Sequence, residues 1–289
     1  MSLKTRTLED FLDHPFDPPE YIYMPVIPKR SAMLLAGQTG GRKSFVSLAL
    51  AVGAAAGVPV LGYMGDSGPV RTLFVDGEMD PTDVQERLRA ILKANLADGY
   101  PPPEPGMLHI LARADQDEDE REGIPSLAAF CGKGQQWVNK AICETGSHFI
   151  ILDNLSTLAG CDIDPNNEMS FSGMKQWLVV LKSAGFTVLL IHHTGKPTGP
   201  DDGPKVVKQR GTEGKLDIMS GSILLSRRDK NDGSRWEWDK PPRRGVQPDP
   251  FTFRVEFEDD GECRLAADYS ARQHEKILHY ATPPAEQSG

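Results

Sequence analysis

Short apolar runs alternate along the chain with longer stretches in which apolar residues recur every three or four positions. Apolar runs that stop at Gly or Asp are typical of buried strands, and the longer periodic stretches are typical of helices packed on a sheet. In the last of these stretches Met174, Trp177, Leu178 and Leu181 share one face. The predicted strands cover residues 32–36, 70–75, 108–111, 148–152 and 187–191, and the predicted helices cover residues 44–56, 81–96, 126–144 and 169–184.

The order of these elements predicts the fold class. Strands that alternate with helices form a mostly parallel central sheet with helices on both faces. After residue 220 the apolar runs follow one another without helices, which predicts C-terminal antiparallel hairpins at one edge of the sheet. We therefore predict an N-terminal arm over residues 1–30, one α/β domain over residues 31–270 and a C-terminal tail over residues 271–289.

Composition and charge narrow the class of protein. The 289 residues carry a net charge of −9, and four scattered cysteines show neither disulfide nor zinc spacing. The first residues contain acids where a signal peptide needs an apolar core, and no apolar run is long enough to cross a bilayer. These features predict a cytoplasmic protein without membrane contact. The acidic balance argues against nonspecific coating of DNA but is compatible with a ring that has a basic lining.

A glycine-rich segment lies between the first predicted strand and the first predicted helix, the position that a phosphate-binding loop occupies. In such a loop the backbone N–H groups form a nest for phosphates, a lysine reaches the β- and γ-phosphates of ATP, and a serine hydroxyl binds Mg²⁺. Arg42 departs from the strict motif, which has glycine before the lysine; the alternative is a glycine-rich turn with an incidental Lys-Ser. The predicted nucleotide-binding residues are Gly37, Gln38, Thr39, Gly40, Gly41, Arg42, Lys43, Ser44 and Phe45.

Acidic residues follow two of the predicted strands. Asp76 and Glu78 come after residues 70–75, and ligands of open α/β sheets bind at the carboxyl ends of strands. We expect Glu78 to polarise the attacking water and Asp76 to face the other way; the alternative is that Glu78 is a solvated loop acid. Asp153 ends the strand at 148–152, and we expect it to hold Mg²⁺ together with Ser44.

Histidines and basic residues follow the later strands. His192 and His193 end the strand at 187–191, and we expect one of them to contact the γ-phosphate; zinc is disfavoured because neighbours in a strand point to opposite faces. Residues 194–214 form either a solvated loop or a contact with a nucleic-acid backbone. A later hairpin tip either reaches the γ-phosphate of a neighbouring subunit or is only a charged turn. The basic residues are Lys196, Lys205, Lys208 and Arg210 in the first segment, and Lys240, Arg243 and Arg244 at the tip.

The order of these motifs resembles that of the RecA-like ATPases of the RepA type, the hexameric replicative helicases of plasmids and their phage-borne relatives. The resemblance covers about residues 27–265 and rests on IPKRSAMLLAGQTGGRKSFVSLALA, LFVDGEMDPTDVQERL, FIILDNLSTLAG, VLLIHHTGK, QRGT and WDKPPRRG. It implies a RecA-like core that hydrolyses ATP with Mg²⁺ between the subunits of a hexameric ring and moves on single-stranded DNA.

The resemblance also implies roles for individual residues. Glu78 corresponds to the catalytic glutamate, Asp153 to the Mg²⁺-associated aspartate, and His193 rather than His192 to the sensor. Residues 195–209 correspond to the DNA-binding loop, and Arg210 with one of Lys240, Arg243 and Arg244 corresponds to the residues that act on a neighbouring subunit. The chain departs from the family at Arg42, at Thr212-Glu213, where two small hydroxyl residues are usual, and at Gly221, where Asp is usual.

Three functions follow from this reading, in order of preference. The first is a ring-forming, DNA-dependent ATPase, a helicase or helicase-like factor in the replication of a mobile element that meets other replication proteins. The second is a RecA-like regulatory ATPase that acts on a protein partner without unwinding DNA, which the net charge of −9 favours. The third is a small-molecule phosphotransferase, which would leave the basic tip and residues 195–209 without a role.

Overall fold

The computed structural model describes residues 4–38, 40–66, 68–116, 132–158, 172–194, 218–227, 234–240, 249–258 and 261–274. Its helices are α1 (Leu8–Leu12), α2 (Lys43–Ala56), α3 (Pro81–Ala97), α4 (Lys133–Thr145), α5 (Leu155–Leu158) and α6 (Ser172–Ser183), with a 3₁₀ turn at Arg113–Asp115. Its strands are β1 (Tyr21–Tyr23), β2 (Ile27–Pro28), β3 (Ala32–Gly37), β4 (Thr72–Asp76), β5 (Leu108–Ala112), β6 (Phe149–Asp153), β7 (Thr187–His193), β8 (Gly221–Arg227), β9 (Ser234–Lys240), β10 (Phe251–Phe257) and β11 (Cys263–Asp268).

One sheet contains the strands from β3 onward, in the order β11-β10-β9-β8-β3-β7-β6-β4-β5. The strands from β8 to β5 in this order are parallel to their neighbours. Strands β9, β10 and β11 continue the sheet in antiparallel pairs. The prediction of a mostly parallel central sheet with C-terminal antiparallel hairpins is confirmed.

Strand β8 corrects one detail of the sequence prediction, which placed it among the antiparallel strands. Gly221 lies beside Met33 and Leu225 lies beside Gly37, so β8 pairs with β3 in parallel and only its other edge is antiparallel. A parallel partner needs a long crossover connection, and residues 194–220 supply its length. The apolar run alone could not reveal this, because a strand buried on both faces has the same pattern in either direction.

Two apolar clusters cover the two faces of the sheet. Helices α2 and α3 pack on one face, and α4, α5 and α6 pack on the other. The predicted apolar face of α6 is confirmed, because the cluster under α4, α5 and α6 buries its four residues, Met174, Trp177, Leu178 and Leu181. Asp80 caps α3 by accepting the N–H of Thr82. None of the helices in the described ranges combines the length and apolar content that a bilayer crossing needs.

Helix α2 lies unusually close to the β1–β2 hairpin. A side chain at Gly53 would lie 2.6 Å from the hydroxyl of Tyr23, and that hydroxyl donates a 2.8 Å hydrogen bond to the carbonyl of Leu50. Tyr23 and Ile27 are buried in the same cluster as α2. The predicted arm of residues 1–30 thus has two parts, because residues 4–20 are exposed whereas the hairpin packs into the core. The predicted domain limits remain a prediction.

Candidate active site

The predicted site residues come from four adjacent strands, β3, β7, β6 and β4, at their carboxyl ends. Gly37 at the end of β3 is the register partner of His193 at the end of β7. Asp153 at the end of β6 is the register partner of Asp76 at the end of β4. The phosphate loop, the acids and the histidine therefore meet at one edge of the sheet, where ligands of open α/β sheets bind.

Close backbone contacts shape the phosphate loop. A side chain at Gly37 would lie 2.5 Å from the carbonyl oxygen of Leu225, so this position requires glycine unless the backbone shifts. Gly40 and Arg42 have positive φ angles of 80° and 64°. Left-handed residues in such a loop turn successive N–H groups toward one point, which is the geometry of an anion-binding nest. Gly40 and Arg42 thus have the left-handed backbone that such a nest uses.

Lys43 lies buried beneath the loop. Its Nζ donates hydrogen bonds of 2.8 Å to the carbonyl oxygens of Gly37 and Gln38. Burial lowers the pKa of Lys43 to about 8, although the charges of Asp153 and Glu78 act in the opposite direction. A bound triphosphate would raise this pKa again, because a nearby anion favours the ammonium form. Lys43 is placed to exchange carbonyl partners for phosphate oxygens.

Asp153 is buried at the end of β6, against the first turns of α2. Its Oδ2 accepts a hydrogen bond of 3.1 Å from the hydroxyl of Ser47. Burial raises the pKa of Asp153 to about 6; the Ser47 hydrogen bond opposes this shift, and the charge of Glu78 adds to it. Ser47 lies one helical turn after Ser44, so Asp153 faces the part of α2 that contains the predicted Mg²⁺ ligand.

Asp76 faces the site, and the prediction that it faces away is wrong. Residues two apart on a strand point to the same side, so Asp76 shares a face with Phe74 and is register partner to Asp153. Its Oδ2 accepts the N–H groups of Met79 at 2.8 Å and Glu78 at 3.3 Å. Burial raises the pKa of Asp76 to about 7; the N–H groups oppose this, and the charges of Asp153 and Glu78 add to it.

Glu78 is held by side chains from two other strand ends. The Nδ2 of Asn154 donates a hydrogen bond to its Oε2, and the Nε2 of His193 lies 3.2 Å from the same oxygen. The Oδ1 of Asn154 accepts the N–H groups of Ser156 at 2.9 Å and Thr157 at 3.2 Å, which orients the amide. The Glu78 side chain is still 53% exposed. It is oriented by the protein and open to solvent, as a group that positions a water must be.

Asn154 and Ser47 are contact residues that sequence reasoning missed. Asn154 directly follows Asp153, and a polar residue at that place would share the same strand end. Ser47 lies three positions after Ser44 on α2, which puts both on one side of the helix. Spacing could have suggested both residues, but only the structure shows that Asn154 binds Glu78 and that Ser47 binds Asp153.

Comparison with known proteins decides the family. Residues 2–199 match the family described as AAA domain. The chain belongs to the AAA domain family. A similar solved structure is that of a KaiC-like protein from the hyperthermophilic archaeon Pyrococcus horikoshii, with a TM-score of 0.54, 13% sequence identity, and coverage of 86% of this chain and 94% of that chain. No curated protein sequence matches this chain.

This AAA domain has the RecA-like α/β core that the sequence predicted, since the match to the KaiC-like structure spans most of both chains. At 13% identity that likeness shows the fold alone. Family membership together with the core supports an ATP-binding P-loop ATPase. The prediction of an ATP-binding P-loop ATPase with a RecA-like core is confirmed.

The oxygen atoms of the AAA domain site suit a hard cation. Mg²⁺ prefers carboxylate, hydroxyl and water oxygens. The Oδ1 of Asp76 is buried and has no hydrogen-bond partner among the described atoms. Because Asp76 lies beside Asp153, this part of the site has more hydrogen-bond acceptors than donors. Ser44 and Asp153 are the residues that would hold the ion, and its charge would favour the ionised forms of both aspartates.

Strand register locates the backbone of Lys240, the first basic residue of the predicted tip, relative to the AAA domain site. Lys240 pairs with Ser222, and Ser222 pairs with Leu34. Gly37 lies three residues further along β3, about 10 Å at the usual rise of a strand. The backbone of Lys240 therefore lies toward the opposite end of the sheet from the phosphate loop. Its side chain and the predicted residues Thr39, Lys196, Lys205, Lys208, Arg210, Arg243 and Arg244 lie outside the described part of the structure.

Proposed function

We propose that this chain is a ring-forming ATPase of the RepA type that moves on single-stranded DNA in the replication of a mobile element. The observation that carries the proposal is the meeting of Lys43, Glu78, Asp153 and His193 at one edge of the sheet. An ammonium beneath a nest of N–H groups, beside a solvent-accessible glutamate, is an arrangement for phosphoryl transfer to water.

The roles of the residues follow from their places. Lys43 contacts the β- and γ-phosphates from beneath the loop. Ser44 and Asp153 would hold Mg²⁺, which would supply positive charge to offset that of the phosphate oxygens. Glu78 accepts a hydrogen bond from the attacking water and orients it, and Asn154 keeps the Glu78 carboxylate in place.

His193 is proposed as the group that senses the γ-phosphate. Its Nε2 lies 3.2 Å from Glu78 and its side chain is 29% exposed, so a phosphate oxygen could compete with the carboxylate for the ring nitrogen. Loss of that contact after hydrolysis would return the histidine to Glu78. Because β7 continues into residues 194–220, this exchange would be transmitted to the segment proposed to bind DNA.

The position of the Lys240 backbone supports the proposal of a ring. The backbone of Lys240 lies toward the opposite end of the sheet from the phosphate loop of its own subunit, so a contact with a neighbouring subunit is the simpler role. We assign Arg210 and one of Lys240, Arg243 and Arg244 to the γ-phosphate of a neighbouring subunit in a hexamer, as an arginine finger acts. Lys196, Lys205 and Lys208 would contact the DNA backbone inside a cytoplasmic ring.

The test compares ATP hydrolysis by the wild type and two variants, with and without single-stranded DNA. Lys43→Ala should abolish hydrolysis because the γ-phosphate loses its main cation, and Glu78→Gln should bind ATP but turn over at least about 100-fold more slowly. Lys140→Ala and Glu86→Gln are matched controls on exposed helix surfaces and should behave like the wild type. Unchanged turnover in Lys43→Ala would refute the site.

DNA dependence separates the proposal from its alternative, a regulatory ATPase that acts on a protein partner. The net charge of −9 favours the alternative, since DNA-binding proteins are usually basic. The proposal predicts that single-stranded DNA stimulates hydrolysis and that the stimulation weakens as salt rises. Hydrolysis that requires Lys43 but ignores DNA, without a hexamer in mass photometry, would instead support the regulatory ATPase.

A further inference from the structure

The side chain of Arg42 packs on the C-terminal part of the chain. Its guanidinium carbon lies 5.7 Å from the centre of the Phe257 ring, at the end of β10. That ring meets Phe45 edge to face, with centroids 5.3 Å apart and planes at 79°. A C-terminal strand therefore contacts the residues on both sides of Lys43 and Ser44.

This contact is made by the last residue of strand β10. Among the described residues, β10 pairs with β9 at Phe251, Thr252 and Phe253, near its other end. Phe257 pairs with Cys263 of β11, so its contacts with Arg42 and Phe45 bring the β10–β11 hairpin to the phosphate loop. From strand order alone, β10 would lie two strands away from β8 and three from β3.

The other side of Phe45 is also fixed. The guanidinium of Arg87 on α3 lies 4.9 Å from the centre of the Phe45 ring. Its Nη1 contacts the sulfur of Met79 at 2.9 Å, immediately after Glu78. Helix α3 thus contacts Phe45 through Arg87. The aromatic contact of Arg42 comes instead from Phe257 of the β10–β11 hairpin.

The backbone of Arg42 explains why such a contact is needed. Arg42 is the N-cap of α2 and has φ 64° and ψ 16°, in the left-handed region. A residue with a Cβ is disfavoured in that region, whereas glycine adopts it freely. Because Arg42 stands where glycine is usual, something must stabilise its left-handed backbone conformation.

We propose that Arg42 is a positioning residue of the phosphate loop and that Phe257 holds it in the left-handed conformation, so that nucleotide affinity depends on the C-terminal hairpin. The inference rests on the proposed nucleotide site. The β10–β11 hairpin, whose Phe253 and Val255 belong to the core, would then also support the nucleotide site. The contact of Phe257 with Arg42 also explains why this chain tolerates arginine in the loop.

The experiment measures the dissociation constant for Mg–ATP by calorimetry, together with kcat and KM, in a mutant cycle. Phe257→Ala should raise the dissociation constant about two- to five-fold, the ratio expected for one cation–π contact, and KM should change more than kcat. Phe257→Tyr keeps the ring and should recover most of that loss. In the Arg42→Gly background, Phe257→Ala should have a much smaller effect, because glycine needs no support.

Two further variants separate conformation from charge. Arg42→Ala should bind Mg–ATP about five-fold more weakly than Arg42→Gly, because alanine still has the left-handed cost. The proposal would be overturned if Arg42→Ala and Arg42→Gly lost the same affinity for Mg–ATP while Arg42→Lys bound it like the wild type. That result would indicate that Arg42 contacts a phosphate directly. Additive effects of Arg42→Gly and Phe257→Ala would also overturn the proposal.

Phe16→Ala is the matched control. Phe16 is 58% exposed and Phe257 is 57% exposed, and the guanidinium of Arg6 lies 5.9 Å from the Phe16 ring. Removing that ring deletes the same kind of contact away from the loop and should leave the dissociation constant unchanged. If the wild type binds no Mg–ATP, the proposed function fails first. If the wild type binds Mg–ATP and Lys43→Ala does not, the nucleotide site stands, and the mutant cycle tests only the role of Arg42.

Discussion

Removing the Asp76 carboxylate should stabilise the nucleotide-free protein at alkaline pH. Asp76 is 1% exposed, lies beside Asp153, and has one oxygen without a hydrogen-bond partner among the described atoms. Burial raises its pKa from 3.8 to about 7. The folded state therefore binds a proton more tightly than the unfolded state, so the stabilising contribution is present at low pH and is lost as the pH rises toward 7.

The magnitude follows from that pKa. Between pH 5 and pH 8 the free energy of unfolding should fall by about 3 kcal/mol on account of Asp76 alone. Asp76→Asn resembles the protonated acid in shape, and its amide oxygen can still accept the N–H of Met79. The stability of the variant relative to the wild type should therefore rise by about 3 kcal/mol between pH 5 and pH 8.

Urea denaturation at pH 5, 6, 7 and 8, without Mg²⁺ or nucleotide, measures this difference through the midpoint and slope of each transition. The cation must be absent because binding to the folded state would add its own stabilisation. Asp17→Asn, at an exposed carboxylate of the N-terminal segment, is the control. Parallel pH profiles for the wild type and Asp76→Asn would refute the reasoning, because they would show that Asp76 is ionised throughout.

Three further predictions concern the same edge of the sheet. Asn154→Ala should lower kcat about ten-fold or more while affinity for ATP changes less, since Glu78 loses its oriented donor; an unchanged kcat would contradict this. Gly77→Ala should destabilise the protein by about 1–3 kcal/mol in thermal or urea unfolding, because its Cβ would lie 2.7 Å from Leu158 and Thr157. Affinity for Mg–ATP should fall as pH rises above about 8, where Lys43 loses its proton before binding; calorimetry that shows constant affinity from pH 7 to 9.5 would exclude this.

The sequence by itself determined the elements and the core chemistry of the site. Apolar runs and helical periodicity predicted the parallel strands and the buried face of α6, because hydrophobic burial follows the period of each element. The strand–loop–helix context predicted that Lys43, Glu78 and Asp153 would meet, because the carboxyl ends of parallel strands lie at one edge. Family membership as an AAA domain agrees with that reading.

Only the tertiary structure decided how these residues contact one another. The direction of Asp76, the hold of Asn154 on Glu78 and the parallel pairing of β8 depend on which strands are neighbours, and local periodicity does not contain that information. The contact between Arg42 and Phe257 joins residues far apart in the sequence. Such contacts arise when the sheet brings distant segments together, so they follow from the assembled fold rather than from any local pattern.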